Sequence, residues 1–136
     1  MAGSEVAVAL VTHAPLGSAL KAVAEHIFGE HLALTVIDVL PGACADDSTE
    51  SLLKRVKKLD RGAGVLLLTD LPGASPANIC ARTCSLARKQ GMRCVVISGV
   101  NASMILRVIN YRTTSIDEIV GVALEGGSQT IKRVDC

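Results

Sequence analysis

Two side chains of this sequence stand where chemistry is easiest to do. His13 ends the run Val11-Thr12-His13, and Asp70 ends the similar run Leu68-Thr69-Asp70. A carboxylate that accepts the Nδ1 proton of an imidazole fixes the tautomer and turns the Nε2 lone pair outward, where it can attack phosphorus. Phosphoryl transfer passes through a loose transition state, so it asks the protein mainly for in-line positioning and for donors to the equatorial oxygens. A metal is not obligatory when the phosphate comes from another phosphohistidine. Donors are close in sequence: the Thr69 and Ser75 hydroxyls, and the free N–H groups of a helix that Pro76 is suited to begin. Each residue also has an ordinary use, the histidine as a hydrogen-bonded strand end, the aspartate in a turn and the serine at a helix cap. Their convergence at one place is what would make a site, and convergence depends on the elements that carry them.

Those elements read as alternating strands and helices. Apolar, β-branched runs over residues 5–12, 33–39, 63–69 and 92–98 are expected to be strands. Between them, Leu20, Val23, Ala24 and Ile27 repeat at helical spacing, as do Leu52, Leu53, Val56 and Leu59, and then Ile79, Thr83 and Leu86. After the fourth strand, Asn101 is suited to cap a helix buried through Met104, Ile105, Val108 and Ile109. Ser115 and Glu118 form a capping box for a further helix, expected to stop at Gly126 and Gly127. The tail, residues 128–134, alternates weakly and is expected to be an edge strand, paired at home or on a neighbouring subunit.

This alternation predicts an α/β domain, a small doubly wound and mainly parallel sheet with helices on both faces. In such sheets ligands bind beyond the carboxyl ends of the strands, where strand order reverses. With the order 2-1-3-4, strands one and three are neighbours and His13 comes to lie beside Asp70. No internal repeat and no linker divides the chain, so residues 1–136 are expected to form one domain.

Composition narrows the functions further. Lysine and arginine (14) nearly balance aspartate and glutamate (13), and Phe28 and Tyr111 are the only aromatics, so no nucleic-acid role is expected. The apolar run over residues 6–11 lacks a basic leader, and no stretch approaches the roughly 20 apolar residues of a membrane span. A soluble, cytoplasmic protein without membrane insertion is expected. Five cysteines, Cys44, Cys80, Cys84, Cys94 and Cys136, show no Cys-x-x-Cys spacing and are read as reduced, mostly packed thiols, including Cys80 and Cys84 on one helix face. His26 and His31 belong to solvated segments, and Asp46 and Asp47 to the first turn of the second helix. Neither a metal site nor a cofactor is expected. A hydrolase built on Ser75, His13 and Asp70 is disfavoured, because a nucleophile elbow wants glycine where Ala77 stands and Asp70 is too close to Ser75 in sequence.

Four motifs in order carry a resemblance over nearly the whole chain. They are Thr12-His13-Ala14; Leu40-Pro41-Gly42; Thr69-Asp70-Leu71-Pro72-Gly73-Ala74-Ser75-Pro76-Ala77-Asn78; and Ser98-Gly99-Val100-Asn101. In these the chain resembles the mannose-family IIA component of the bacterial phosphoenolpyruvate-dependent sugar phosphotransferase system. The resemblance implies that His13 is phosphorylated, that Asp70 orients it, and that the histidine-containing phosphocarrier protein is the donor. It also implies a homodimer in which the C-terminal strand is exchanged. Because the chain ends at Cys136, the acceptor is expected to be a separate IIB-type protein. Two other readings stand beside sugar transport: a regulatory switch whose phosphorylated and free forms bind other proteins differently, and the phosphotransfer subunit of a dihydroxyacetone kinase. Three positions depart from the family pattern: Ala14 and Ala74 replace glycines, and Pro72 replaces an apolar or aromatic residue.

Overall fold

Every residue of the first strand before His13 is buried on one face of the sheet or the other, which is why residues 6–11 are an unbroken apolar run rather than an alternating one. Val6, Val8 and Leu10 pack on one side with Leu66, Leu68, Met104, Ile105, Val108 and Ile119. Ala7, Ala9 and Val11 pack on the other with Val65, Leu67, Leu52, Val56 and Ile79. Leu10, Leu66, Leu67 and Leu68 are fully buried, and each contributes about 1.5–3 kcal/mol to the hydrophobic term.

The computed structural model describes residues 4–136. In chain order the elements are β1 (Ala7–His13), α1 (Leu16–Phe28), β2 (Thr35–Val39), α2 (Ala45–Leu59), β3 (Val65–Leu68), α3 (Ser75–Lys89), β4 (Cys94–Ile97), α4 (Ala102–Asn110) and α5 (Ile116–Ser128). The strands form one parallel sheet in the order β2-β1-β3-β4. One face is covered by α1, α4 and α5 and the other by α2 and α3. The order 2-1-3-4 expected from the sequence is the observed one. Its reversal falls between β1 and β3, so the loops leaving these two strands open onto a shared rim.

Local signals set most of the boundaries. Asn101 Oδ1 accepts from the Met104 N–H at 3.0 Å at the start of α4, and Ser115 Oγ accepts from the Glu118 N–H at 3.2 Å at the start of α5. Gly29 closes α1 in a left-handed conformation, φ +73°.

At the C-terminus the structure departs from the expectation. The last helix runs through Gly126 and Gly127 to Ser128 instead of stopping there. Both glycines are buried against α4, and a Cβ on them would stand 2.6 Å from Arg107 Cγ and 2.8 Å from Met104 Cε. They serve helix–helix approach rather than termination. The expected edge strand over residues 128–134 does not form within the chain: the tail after α5 is exposed and unpaired in the sheet, with Ile131 and Val134 each 81% exposed. A strand needs a neighbour for its backbone groups, and the tail reaches none in its own chain.

Candidate active site at the carboxyl rim of the sheet

His13 is the last residue of β1, opposite Val39 of β2 in register. The Ala14 N–H donates to the Val39 carbonyl at 3.0 Å, so the strand pairing continues one residue past the histidine and holds its backbone rigidly. Asp70 leaves β3 two residues after Leu68. Its loop is anchored to the next crossover, with the Gly99 N–H donating to the Asp70 carbonyl and the Val100 N–H to the Thr69 carbonyl, both at 3.0 Å. Two residues 57 positions apart in sequence thereby become neighbours.

Their contact is close. His13 Nδ1 and Asp70 Oδ2 are 2.7 Å apart, and the His13 backbone N–H donates to the same oxygen at 3.2 Å. The two sides of the pair are unequally exposed: 48% of the His13 side chain meets solvent against 10% of the Asp70 side chain. Burial pushes the Asp70 carboxyl up, but the hydrogen bonds from the His13 ring and backbone outweigh it and hold the group below its usual range. Asp70 is therefore an anion at neutral pH. With an ionised carboxylate at Nδ1, the ring proton sits on that nitrogen and Nε2 presents a lone pair on the exposed side.

The expected anion donors are distributed unequally. Ser75 is exposed at the start of α3, where Ala74 occupies the cap position without a side-chain hydrogen bond and Pro76 lies within the first turn. Asn78 is the first residue of this helix whose N–H reaches back to the Ala74 carbonyl. The Ser75 and Ala77 N–H groups are thus the orphan donors of a helix start. Thr69 is fully buried, and its hydroxyl points to Asp70 Oδ1 at 3.5 Å, which puts it behind the carboxylate rather than at the surface.

The alanines that replace glycines cause no conformational difficulty. Ala74 has φ −85° and ψ 169°, and no non-glycine residue among those described has a positive φ. The left-handed position of the loop falls on Gly73, φ +78°.

Several neighbours of the site were not singled out from the sequence. Gly17, in the first turn of α1, lies so close to the strands that a Cβ there would stand 2.9 Å from Thr12 Oγ1, 3.0 Å from Val36 Cγ1 and 3.2 Å from Asp38 Oδ1. Ser18 in the same turn donates to Asp38 Oδ2, tying α1 to β2 next to the histidine. Leu16, Leu40 and Leu71, on the segments that follow β1, β2 and β3, are all exposed. The segments that carry them leave the carboxyl ends of β1, β2 and β3, where a ligand site is expected in a sheet of this order.

The remaining candidates lie elsewhere. His26 and His31 are exposed, with His31 3.5 Å from Glu25. Cys80, Cys84 and Cys94 are buried, Cys44 and Cys136 exposed, and all five are free thiols. Asp46, at the start of α2, pairs with Arg82 of α3 at 2.7 Å. Among the described residues no group of histidine, cysteine and acidic side chains is arranged to hold a metal, and no helix is long and apolar enough to cross a membrane.

With this geometry in hand, the chain can be set beside known proteins. It is 33% identical to the mannose-specific EIIAB component of the Escherichia coli phosphotransferase system over 129 residues, which is 93% of this chain and 39% of that protein. It therefore spans well under half the length of that relative. The fold is similar to the mannose/sorbose-specific IIA subunit of Enterococcus faecalis, with a TM-score of 0.85, 17% identity, and coverage of 98% of this chain and 97% of that one. It is also similar to phosphotransferase component EIIA of Streptococcus agalactiae, with a TM-score of 0.82, 23% identity, and coverage of 94% and 96%. The pattern that defines the family described as the PTS system fructose IIA component matches residues 7–123, which include both His13 and Asp70. The chain belongs to that family, as a IIA component of the mannose class.

Proposed function

We propose that this chain carries a phosphoryl group on Nε2 of His13, takes it from the histidine-containing phosphocarrier protein, and passes it to a IIB-type acceptor. The observation that carries the reading is the 2.7 Å contact of His13 Nδ1 with Asp70, on a ring whose other edge faces solvent. In the forward step the Nε2 lone pair forms a bond to phosphorus while the bond from phosphorus to the donor's ring nitrogen breaks, and that nitrogen keeps the electron pair. His13 becomes cationic as it bonds to phosphorus, and the buried Asp70 anion stabilises that charge without moving. The Ser75 and Ala77 N–H groups and the Ser75 hydroxyl are the donors for the phosphoryl oxygens, with Thr69 supporting Asp70 from below. No metal or cofactor enters the scheme.

The partners meet the rim that Leu16, Leu40 and Leu71 surround. Exposed apolar side chains around a charged centre suit a protein surface that must bind, exclude water during transfer and leave again. Residues 1–136 act as one domain, and the setting is cytoplasmic. The tail supplies the strand exchanged in a homodimer: β4 is an edge of the sheet, and Ile131 and Val134 find no cover at home.

The test is incubation with phosphoenolpyruvate, enzyme I and the phosphocarrier protein. We expect an acid-labile adduct on His13 that is absent in His13→Ala and is discharged by a IIB-type protein. A wild-type chain that takes up no phosphate refutes the reading. Discharge to a kinase-bound nucleotide instead would place the chain with the dihydroxyacetone kinases, and partners that distinguish the two forms without accepting phosphate would make it a regulator.

A further inference from the structure

On the face of the sheet that α1 covers, two buried side-chain oxygens have no hydrogen-bond partner among the described residues: Thr12 Oγ1 and Asp38 Oδ1. They are neighbours. Thr12 and Asp38 are partners in the register of β1 with β2, and a Cβ on Gly17 would stand 2.9 Å from the first oxygen and 3.2 Å from the second. The other oxygen of the same carboxylate, Asp38 Oδ2, accepts a hydrogen bond from Ser18 Oγ in the first turn of α1. Asp38 therefore stands between the residue that precedes the histidine and the helix turn that follows it. Buried polar atoms are nearly always paired, and the exceptions gather where geometry serves function rather than stability.

We propose that Asp38 is a positioning residue for His13, an inference that rests on the phosphoryl-transfer reading and concerns how the ring is held for it. Asp70 touches the ring and sets its tautomer; Asp38 acts on the main chain that carries the ring. Through Ser18 it pins the start of α1 to β2, which fixes residues 14–17 as they leave the histidine. Its buried oxygen shares with the Thr12 hydroxyl the space that a side chain at Gly17 would need, so the helix closes onto the strand end as nearly as a glycine allows. In-line displacement tolerates little error in such placement, and a shift of about 1 Å costs about a hundredfold in rate.

The role is one of hydrogen bonding and shape, and that separates it from the role of Asp70. An amide at position 38 can keep its oxygen on the Ser18 hydroxyl and turn its N–H group toward Thr12 Oγ1, which as a hydroxyl oxygen can accept. Asparagine therefore keeps the tie to α1 and gives Thr12 the partner it lacks. Alanine releases Ser18 and opens a gap beside Thr12, so the strand end and the first turn of α1 lose their common anchor.

The test compares the full wild-type chain with Asp38→Ala, Asp38→Asn and Ser18→Ala by two readouts. One is the rate of phosphate uptake from the phosphocarrier protein over a range of donor concentrations; the other is the nitrogen NMR spectrum of the His13 ring in the unphosphorylated chain, which needs no transfer. Asp38→Ala should lower kcat about tenfold with KM for the donor within about twofold of wild type, and its ring signals should shift or broaden. Asp38→Asn should restore both readouts. Ser18 is exposed, so Ser18→Ala keeps the core intact; it should move both readouts in the direction of Asp38→Ala by a smaller factor, and it carries the test if Asp38→Ala does not fold. Ile119→Val, a truncation in the core at α5, controls for lost stability and should leave the rate unchanged. Wild-type rate and ring signals in Asp38→Ala or Ser18→Ala, an asparagine no better than alanine, or equal slowing in Ile119→Val overturns the proposal. A wild-type chain that takes up no phosphate refutes the transfer reading instead, and the ring signals still decide whether Asp38 holds His13 in place.

Discussion

Replacing Asp70 with asparagine probes the contact on which the proposed chemistry depends. The substitution keeps the size and shape of the side chain and removes only its charge. In the structure Asp70 Oδ2 takes two hydrogen bonds from His13, one from Nδ1 at 2.7 Å and one from the backbone N–H at 3.2 Å. Because the backbone N–H is fixed by the strand and can only donate, an amide at position 70 must place its oxygen there, and the same oxygen stays in reach of Nδ1. The tautomer with Nε2 free is then preserved, and what is lost is the charge assistance. A hydrogen bond to a charged group is worth about 1.5–3 kcal/mol against about 0.5–1.5 for a neutral one, a difference of about 1–1.5 kcal/mol, or roughly tenfold in rate. The assay is the initial rate of phosphate transfer from the phosphocarrier protein to the purified chain, for wild type, Asp70→Asn and His13→Gln. His13→Gln should accept nothing and Asp70→Asn should accept about tenfold more slowly. A wild-type rate in Asp70→Asn would show that the carboxylate does not stabilise the charged ring. A loss of about a thousandfold or more, the size expected when an amide locks the wrong tautomer, would refute the argument that the backbone N–H dictates how the amide sits.

Further outcomes follow from the same coordinates. The Asp70 carboxyl is held below its usual range in the folded chain, so its contribution to stability is fully present above the unfolded value of 3.8 and is lost as pH falls through the folded one. Denaturant titrations should show wild type ahead of Asp70→Asn at neutral pH and the gap closing in that acid range. Gly17→Ala places a methyl within 3.0 Å of Thr12 Oγ1 and at 3.0 Å from Val36 Cγ1, and should cost about 1–3 kcal/mol in thermal unfolding. Gly121→Ala, on α5 with nothing within 4 Å of the new Cβ, should stabilise by about 0.5–1 kcal/mol, so equal effects at the two glycines would contradict the packing described. Removing residues 130–136 should shift sedimentation from dimer to monomer, and a full-length chain that is monomeric throughout would end the strand-exchange proposal.

The linear sequence determined the class of fold because its signals are local and periodic. The four apolar runs, the helical stripes between them and the caps at Asn101 and Ser115 need no knowledge of distant residues, and they reappear as β1 to β4, α4 and α5. The pairing of His13 with Asp70 was legible for a different reason: a parallel sheet of order 2-1-3-4 has one switch point, and His13 ends one of the two strands that flank it while Asp70 follows the other by two residues.

What the sequence left undetermined was set by contacts between elements. Thr69 and Ser75 look alike as hydroxyl donors beside Asp70, yet one is sealed beneath the carboxylate and the other stands at an open helix start, because β3 carries Thr69 into the core. Gly126 and Gly127 resemble a helix stop, but the close approach of α4 gives them the space of two missing side chains and the helix continues. The alternation of the tail promises a strand, and a strand is a property of two partners, of which this chain supplies one. The Asp38 carboxylate comes from β2 and the Ser18 hydroxyl from α1, and only the packing of these elements sets both beside the end of β1. Sequence determines what a segment can form on its own; tertiary structure decides which atoms face each other, because burial, close approach and hydrogen-bond geometry exist only once separate segments have met.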